Sequence, residues 1–360
     1  MQGDAVPGEP SGGSPVPVSE TAGPGARSLT GRRVLVTGAT GFVGGHLTRR
    51  LLADGARVGV LVRASSDPAT VDGLERAGAE VARGDVTDPE SVLRAAEGVE
   101  VVFHVAALFR EARHPDEVYH RVNVEGVRNV LEAARREGAR VVHCSTIGVH
   151  SHIPRPPANE DEPFRPGDVY QVSKAEGELL ARSYFDAGRV EGVVIRPAMI
   201  WGAGDRRILK LFRGVARRRF PIIGSGRVLT HWIDVEDLAE AFVLAATVPE
   251  ASGRTYIIAG ERPVTLRHVV ATIARLAGVE PLPLRIPARP MQWLGSLTEA
   301  VCRPLGVEPP LYRRRIDFFT KDRAFDTTRA RTELGFRPRS GFEAETQRLF
   351  RWYERQGWLA

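Results

Sequence analysis

The stretch VLVTGATGFVGGHL, residues 34–47, restricts the fold more than any other part of this chain. It opens with Val34, Leu35 and Val36, an apolar run that reads as a buried strand. Thr37 follows, then glycines at 38, 41 and 44 at the start of a helical pattern. Gly38 permits a tight turn, Gly41 lets the backbone approach a pyrophosphate, and Gly44 lets the helix pack close to the sheet. The helix N-terminus then offers free N–H groups to the phosphates. Glycines punctuate many loops, but these sit in the strand–turn–helix setting that phosphate binding demands. The segment is therefore predicted to hold a dinucleotide, with Gly38, Thr40, Gly41, Phe42, Val43 and Gly44 against it.

The chain goes on to repeat the strand–helix rhythm. Apolar runs occur at residues 33–37, 57–62, 79–84, 99–106, 140–145 and 191–196, with helical stretches between them. In one such stretch, residues 125–138, Val127, Val130, Leu131 and Ala134 recur at helical spacing. The alternation predicts an α/β fold, a doubly wound parallel Rossmann sheet over residues 30–196, with 232–259 returning to it. After Pro197 the rhythm loosens. Residues 197–231 and 260–360 are expected to form a smaller α/β substrate lobe over the carboxyl ends of the strands, where such sheets bind ligands.

Composition adds limits. With 360 residues, 42% apolar and 26% charged, the chain can build one large core or two joined ones. Residues 1–29, rich in Pro, Gly and Ser, are expected to be a disordered tail. Cys144 and Cys302 are far apart and lack ligand spacing, so neither a disulfide framework nor a metal site is expected. A reducing, cytoplasmic setting suits that usage. No uncharged apolar run approaches the about 18 residues of a membrane span, and no signal-peptide pattern opens the chain. The net charge of +6 favours anionic partners without choosing among them.

Further motifs follow in chain order. They are GDVTD with Asp85 and Val86, HVAA with His104, Val105, Ala106 and Ala107, NVEG with Asn123, YQVSK with Tyr170 and Lys174, and RPAMIWGAGD with Pro197 and Trp201. IDVEDLA with Asp237 and FDTTRARTELGFRP complete the series. Together with the Gly-x-x-Gly-x-x-Gly loop, they resemble the extended short-chain dehydrogenase/reductase family over nearly the whole chain after the tail. The resemblance implies a nicotinamide cofactor, with Asp85 at the adenine and Val86, Val105, Ala106, Ala107, Asn123, Ser145 and Pro197 around the cofactor. It also implies a homodimer, and a substrate site that includes Trp201.

The second strand decides between NAD and NADP. An acid at its end would hold the ribose hydroxyls of NAD, and a base the 2′-phosphate of NADP. Here Arg63 occupies that end, followed by Ser65 and Ser66, and Asp67 comes too late. NADP is favoured over NAD on this basis, through Arg63 with Ser65 or Ser66.

YQVSK puts Tyr170 and Lys174 four apart, on one face of a helix. A free tyrosine, with a pKa of about 10, is a poor base at neutral pH. A nearby ammonium favours its phenolate, so Tyr170 could take or give a proton as hydride moves. By resemblance, Lys174 also binds the nicotinamide ribose, and Thr146 in CSTIGVHS contacts the reacting oxygen with Ser145 beside it. Dehydratases of the family place an Asp-Glu pair directly after that threonine, and decarboxylases a glutamate two residues on. Here the positions hold Ile147 and Gly148, so a 4,6-dehydratase is not expected.

The expected activity is reversible hydride transfer at a secondary alcohol or ketone carbon of a small cyclic or apolar substrate. A nucleotide-sugar 4-epimerase with retained NAD is the alternative. A non-catalytic nucleotide-sensing scaffold is a remote one, because Tyr170 and Lys174 are both intact. In nucleotide-sugar members an arginine before the VxDLA segment holds the substrate pyrophosphate. That slot holds Thr230, although Arg227 is near and Arg313, Arg314 and Arg315 could supply charge. The apolar segment 281–306 resembles that of 3β-hydroxysteroid-dehydrogenase-like members, or is simply core or a subunit contact. Seven basic residues between Arg206 and Arg219 read as a solvated helix face or an anion site. Neither nucleic acid nor a membrane is an expected partner: the basic run has no interleaved aromatics.

Overall fold

The structure, a computed structural model, describes residues 28–109, 114–302 and 313–359. The expected tail lies almost wholly outside these residues, as do the side chains of Arg313, Arg314 and Arg315.

Each apolar run of the first half forms a strand, and all but the last of these strands lead into a helix. In chain order these are β1 (Arg33–Thr37), α1 (Phe42–Ala53), β2 (Arg57–Val62), α2 (Pro68–Arg76), β3 (Glu80–Arg83), α3 (Pro89–Ala95) and β4 (Val101–His104). Then come α4 (Asp116–His120), α5 (Gly126–Glu137), β5 (Arg140–Cys144), α6 (Val169–Asp186) and β6 (Gly192–Pro197). The second half starts with β7 (Met199–Trp201), α7 (Leu209–Ala216), β8 (Ile222–Ile223), β9 (Leu229–Thr230), β10 (Trp232–Asp234) and α8 (Val235–Thr247). It continues with β11 (Thr255–Ile258), β12 (Val264–Thr265), α9 (Leu266–Leu276), β13 (Arg285–Ile286) and α10 (Ala288–Cys302). The last helices are α11 (Arg313–Thr320), α12 (Thr328–Glu333) and α13 (Phe342–Arg355).

Seven strands make one parallel sheet in the order β11-β6-β5-β4-β1-β2-β3. Its inner strands are mostly apolar because both faces are covered. One face packs Leu47, Leu51, Leu238 and Phe242 of α1 and α8. The other packs Val92, Val127, Leu131 and Ala181 of α3, α5 and α6. Strand order reverses beside β1, between β2 and β4, and this opens a crevice at the strand ends where such folds take ligands. A third core, around Trp201, Phe212, Trp232, Leu266, Phe342 and Tyr353, belongs to the lobe over those ends.

The basic run 206–219 contributes to that lobe. Leu211, Phe212 and Val215 of α7 are buried in its core, Arg213 donates to the Trp358 carbonyl at 2.9 Å, and Arg206 lies 4.9 Å over the Trp358 ring. Arg217, Arg218 and Arg219, at its end, are exposed, as are Arg206, Arg207 and Lys210.

Candidate active site

A cavity of about 780 Å³ fills the crevice and extends under the lobe. Its floor is the glycine loop. Gly38 has φ +77°, and a Cβ there would lie 2.7 Å from the Ala106 nitrogen, so only glycine fits this turn. A Cβ on Gly44 would strike the Gly38 carbonyl, which is how α1 comes so close to the strand end. No side chain caps the N-terminus of α1, and its first turn carries no acid, so its free N–H groups meet the cavity. Gly38, Thr40, Gly41, Phe42, Val43 and Gly44 all line it.

Arg63 and Ser66 line the cavity beyond β2, and the Ser66 hydroxyl is buried without a partner. Asp67 is turned away, since its carboxylate caps α2 by accepting from the Thr70 nitrogen at 3.0 Å and from its hydroxyl at 2.6 Å. Asp85 and Val86 follow, with one Asp85 oxygen fixed by the Thr87 nitrogen and hydroxyl, both at 2.9 Å. Val105, Ala106 and Ala107 line the wall after β4, and Pro197 the end of β6.

Tyr170, Lys174, Ser145 and Thr146 meet at the far end of the cavity. Asp168 starts α6 by accepting from the Gln171 nitrogen at 2.8 Å, which aims the next turn at the crevice. Lys174 is 2% exposed and its ammonium donates to the Cys144 carbonyl at 2.6 Å. Burial lowers its pKa, against the nearby Glu178 carboxylate, which raises it. Thr146 Oγ1 accepts from the Gly148 nitrogen at 3.0 Å, so its own proton remains to be donated.

Glu178 and Arg196 form a buried ion pair behind this group, 0% and 1% exposed, at 2.5 Å. The Ser145 hydroxyl donates to Glu178 at 2.6 Å, and Arg196 also donates to the Glu160 carbonyl at 2.7 Å. Ser145 thus borders the cavity with its proton committed to Glu178. The pair was missed from the sequence, although Glu178 lies one turn beyond Lys174 and Arg196 interrupts an apolar strand.

Two expected residues sit elsewhere. Trp201 does not face the substrate. It is 1% exposed in the lobe core, stacked on Trp232 at 4.7 Å and on Phe342 at 5.2 Å, and its N–H donates to Glu345. Asn123 does not line the cavity either. Its amide holds the Leu108 backbone, accepting at 2.8 Å and donating at 3.2 Å, and donates to Ser173 at 2.9 Å. Asn123 therefore shapes the wall that carries Leu108 and Phe109.

The substrate end of the cavity is mostly apolar. Phe109, Ile147, Met199, Ile200, Ile208 and Phe318 line it. Phe109 meets the Tyr170 ring edge-on at 5.1 Å. Two arginines reach the same space, Arg207, which is bound to Asp205, and Arg323. Thr230 is buried in the lobe, donating to the Val264 carbonyl and accepting from the Trp232 N–H, and Arg227 lies outside the cavity.

Comparison with known proteins gives the family of the chain. The 4-hydroxy-2-methyl-3-oxo-4-farnesyl-3,4-dihydroquinoline-1-oxide ketoreductase of Stigmatella aurantiaca is 32% identical, over 84% of this chain and 91% of its own. Sterol demethylase protein B of Methylococcus capsulatus is also 32% identical, over 90% of this chain and 99% of its own. Among solved structures, the dTDP-glucose 4,6-dehydratase of Streptomyces venezuelae, with NAD bound, aligns with a TM-score of 0.71 at 25% identity, over 91% of this chain and 98% of its own. The profile of the NAD dependent epimerase/dehydratase family matches residues 34–259, and this chain belongs to that family as an extended short-chain dehydrogenase/reductase that uses a nicotinamide cofactor.

Proposed function

We propose that this enzyme is an NADP-dependent reductase of a lipophilic ketone, working reversibly at the secondary alcohol. The observation that carries the reading is the meeting of Tyr170, Lys174 and Thr146 at the apolar end of the cavity. A nicotinamide held in the crevice would supply or accept the hydride at carbon. In reduction, Tyr170 gives its phenolic proton to the carbonyl oxygen, and Thr146 donates a hydrogen bond to the same oxygen. The buried Lys174 ammonium stabilises the phenolate that remains. Oxidation runs the same proton in reverse.

Arg63 and the unpartnered Ser66 hydroxyl support NADP, as does the use of Asp67 in a helix cap. Ile147 and Gly148 leave no acid and base for eliminating water, which argues against dehydration. The apolar lining, the burial of Thr230 and the names of the two sequence relatives support a lipophilic ketone over a nucleotide sugar. The test is NADPH oxidation with a panel of lipophilic ketones, for wild type and Tyr170→Phe. The variant is expected to bind NADPH and lose turnover. Wild-type turnover in Tyr170→Phe would sink the assignment, and NAD retained through exhaustive dialysis would favour the epimerase.

A further inference from the structure

Helix α10 wears its apolar residues on the outside. Trp293 is 72% exposed, Leu294 43% and Leu297 46%. With Pro290 and Ala300, also exposed, they form a stripe at helical spacing along the solvent side. The opposite stripe holds Met291, Gly295, Thr298 and Cys302, which are buried or half-buried. A helix serving only the core of its own fold would carry these two stripes the other way round.

The surroundings are basic. Arg285, on β13, and Arg289, in the first turn of α10, are exposed. β13 pairs with β8, placing Arg285 beside Ile222, a few residues after the exposed Arg217, Arg218 and Arg219. None of these five arginines pairs with an acidic side chain among the described residues. Of the acids on flanking elements, Asp317 is taken by Lys321 at 2.9 Å, Glu280 is exposed, and Glu299 lies on α10 itself. α10 packs on α11, whose Phe318 lines the cavity.

An outward apolar stripe with exposed arginines beside it is the pattern of a helix lying in the surface of an anionic bilayer. We propose that α10 docks this enzyme on anionic phospholipid, with Trp293, Leu294 and Leu297 in the acyl boundary and the five arginines at the headgroups. The helix lies on the membrane and does not cross it; among the described residues no helix is long and apolar enough to span one. The use of such docking, drawing a lipophilic ketone toward a cavity one helix away, rests on the function proposed above.

The test is co-sedimentation of the full chain with vesicles of phosphatidylcholine containing phosphatidylglycerol, and with phosphatidylcholine alone. Binding is expected only to the anionic vesicles and should weaken as salt rises. Trp293→Ser and Leu297→Ser should each lower the partition about tenfold, and Arg285→Gln with Arg289→Gln should do so about tenfold. NADPH turnover of a water-soluble ketone without vesicles should be unchanged in all of them. Failure of the wild type to sediment with anionic vesicles, or equal binding by the variants, overturns the proposal. So does light scattering that shows a wild-type dimer and a Leu297→Ser monomer, since the stripe is then a subunit contact. Absent turnover with intact vesicle binding would instead count against the reductase reading alone.

Discussion

Mild acid is expected to unfold this chain steeply, because four histidines are held neutral in its interior. His104, His143, His150 and His231 are each at most 1% exposed. Burial lowers the pKa of His104 to about 3, helped by the Lys174 ammonium, and pushes His143 well below the ordinary range for the same reasons. Burial, with Arg196 nearby, lowers His150 to about 4. Burial also lowers His231 to about 4, against its bond to the Gly260 carbonyl. In the unfolded chain each returns to about 6.5. Between those values the unfolded chain binds protons that the folded one does not. The histidine contribution to stability is therefore full above about pH 6.5 and falls as pH drops toward the folded values. Glu345 works in the opposite direction, since burial pushes it up to about 8 and the folded chain keeps its proton. At about pH 5.5, four histidines less one glutamate leave about three protons, or about 4 kcal/mol per pH unit at about 1.4 each. Glu160 and Asp234, also raised by burial, trim this nearer pH 5. Against a total of about 5–15 kcal/mol, one unit of acid is a large loss. Urea unfolding followed by circular dichroism between about pH 6.5 and 5 gives the proton number from the slope of log K, and His104→Asn should remove one. A slope of one proton or less, with histidine proton resonances titrating near 6.5, would refute the reasoning.

Two further outcomes follow from the site. Arg63→Ala should raise the KM for NADPH about tenfold or more and leave that for NADH unchanged, since a charge-assisted bond contributes about 1.5–3 kcal/mol; equal effects on both would remove Arg63 from the 2′-phosphate. Glu178→Ala should cost about 3–5 kcal/mol in urea unfolding, by leaving Arg196 charged, buried and without its carboxylate. The double change Glu178→Met with Arg196→Met should restore most of that loss, and a double variant as weak as the single one would contradict this account.

The sheet was legible because its evidence is local. β1, β2, β4, β5 and β6 are mostly Val, Ile and Leu because both their faces are buried, with His104, His143 and Arg196 the buried polar exceptions, and the glycine loop announces its own turn. The short lobe strands, two or three residues each, carry no such period. Tyr170, Lys174 and the loop glycines were legible for the same local reason. Trp201 and Asn123 were misplaced because their direction depends on distant partners. Trp232 and Phe342 draw the indole into the lobe core, and Leu108 and Ser173 draw the amide away from the crevice. Glu345 reads as an ordinary helix-surface acid, yet it lies buried under the Trp201 N–H.

Ile147 and Gly148 begin as a missing pair of carboxylates, and the geometry gives Gly148 a second role. Its N–H holds Thr146 Oγ1 as an acceptor at 3.0 Å, which turns the single threonine proton toward the cavity. A Cβ at 148 would lie 3.2 Å from that same Oγ1 and 3.3 Å from the threonine methyl, so a side chain there would press on the group it needs to assist. Ile147, 5% exposed, presents an apolar side chain to the same cavity. On the proposed reading, what withholds an elimination acid also frees Thr146 to steady a carbonyl oxygen. The bias toward hydride transfer then lies in the backbone of this turn as much as in its side chains.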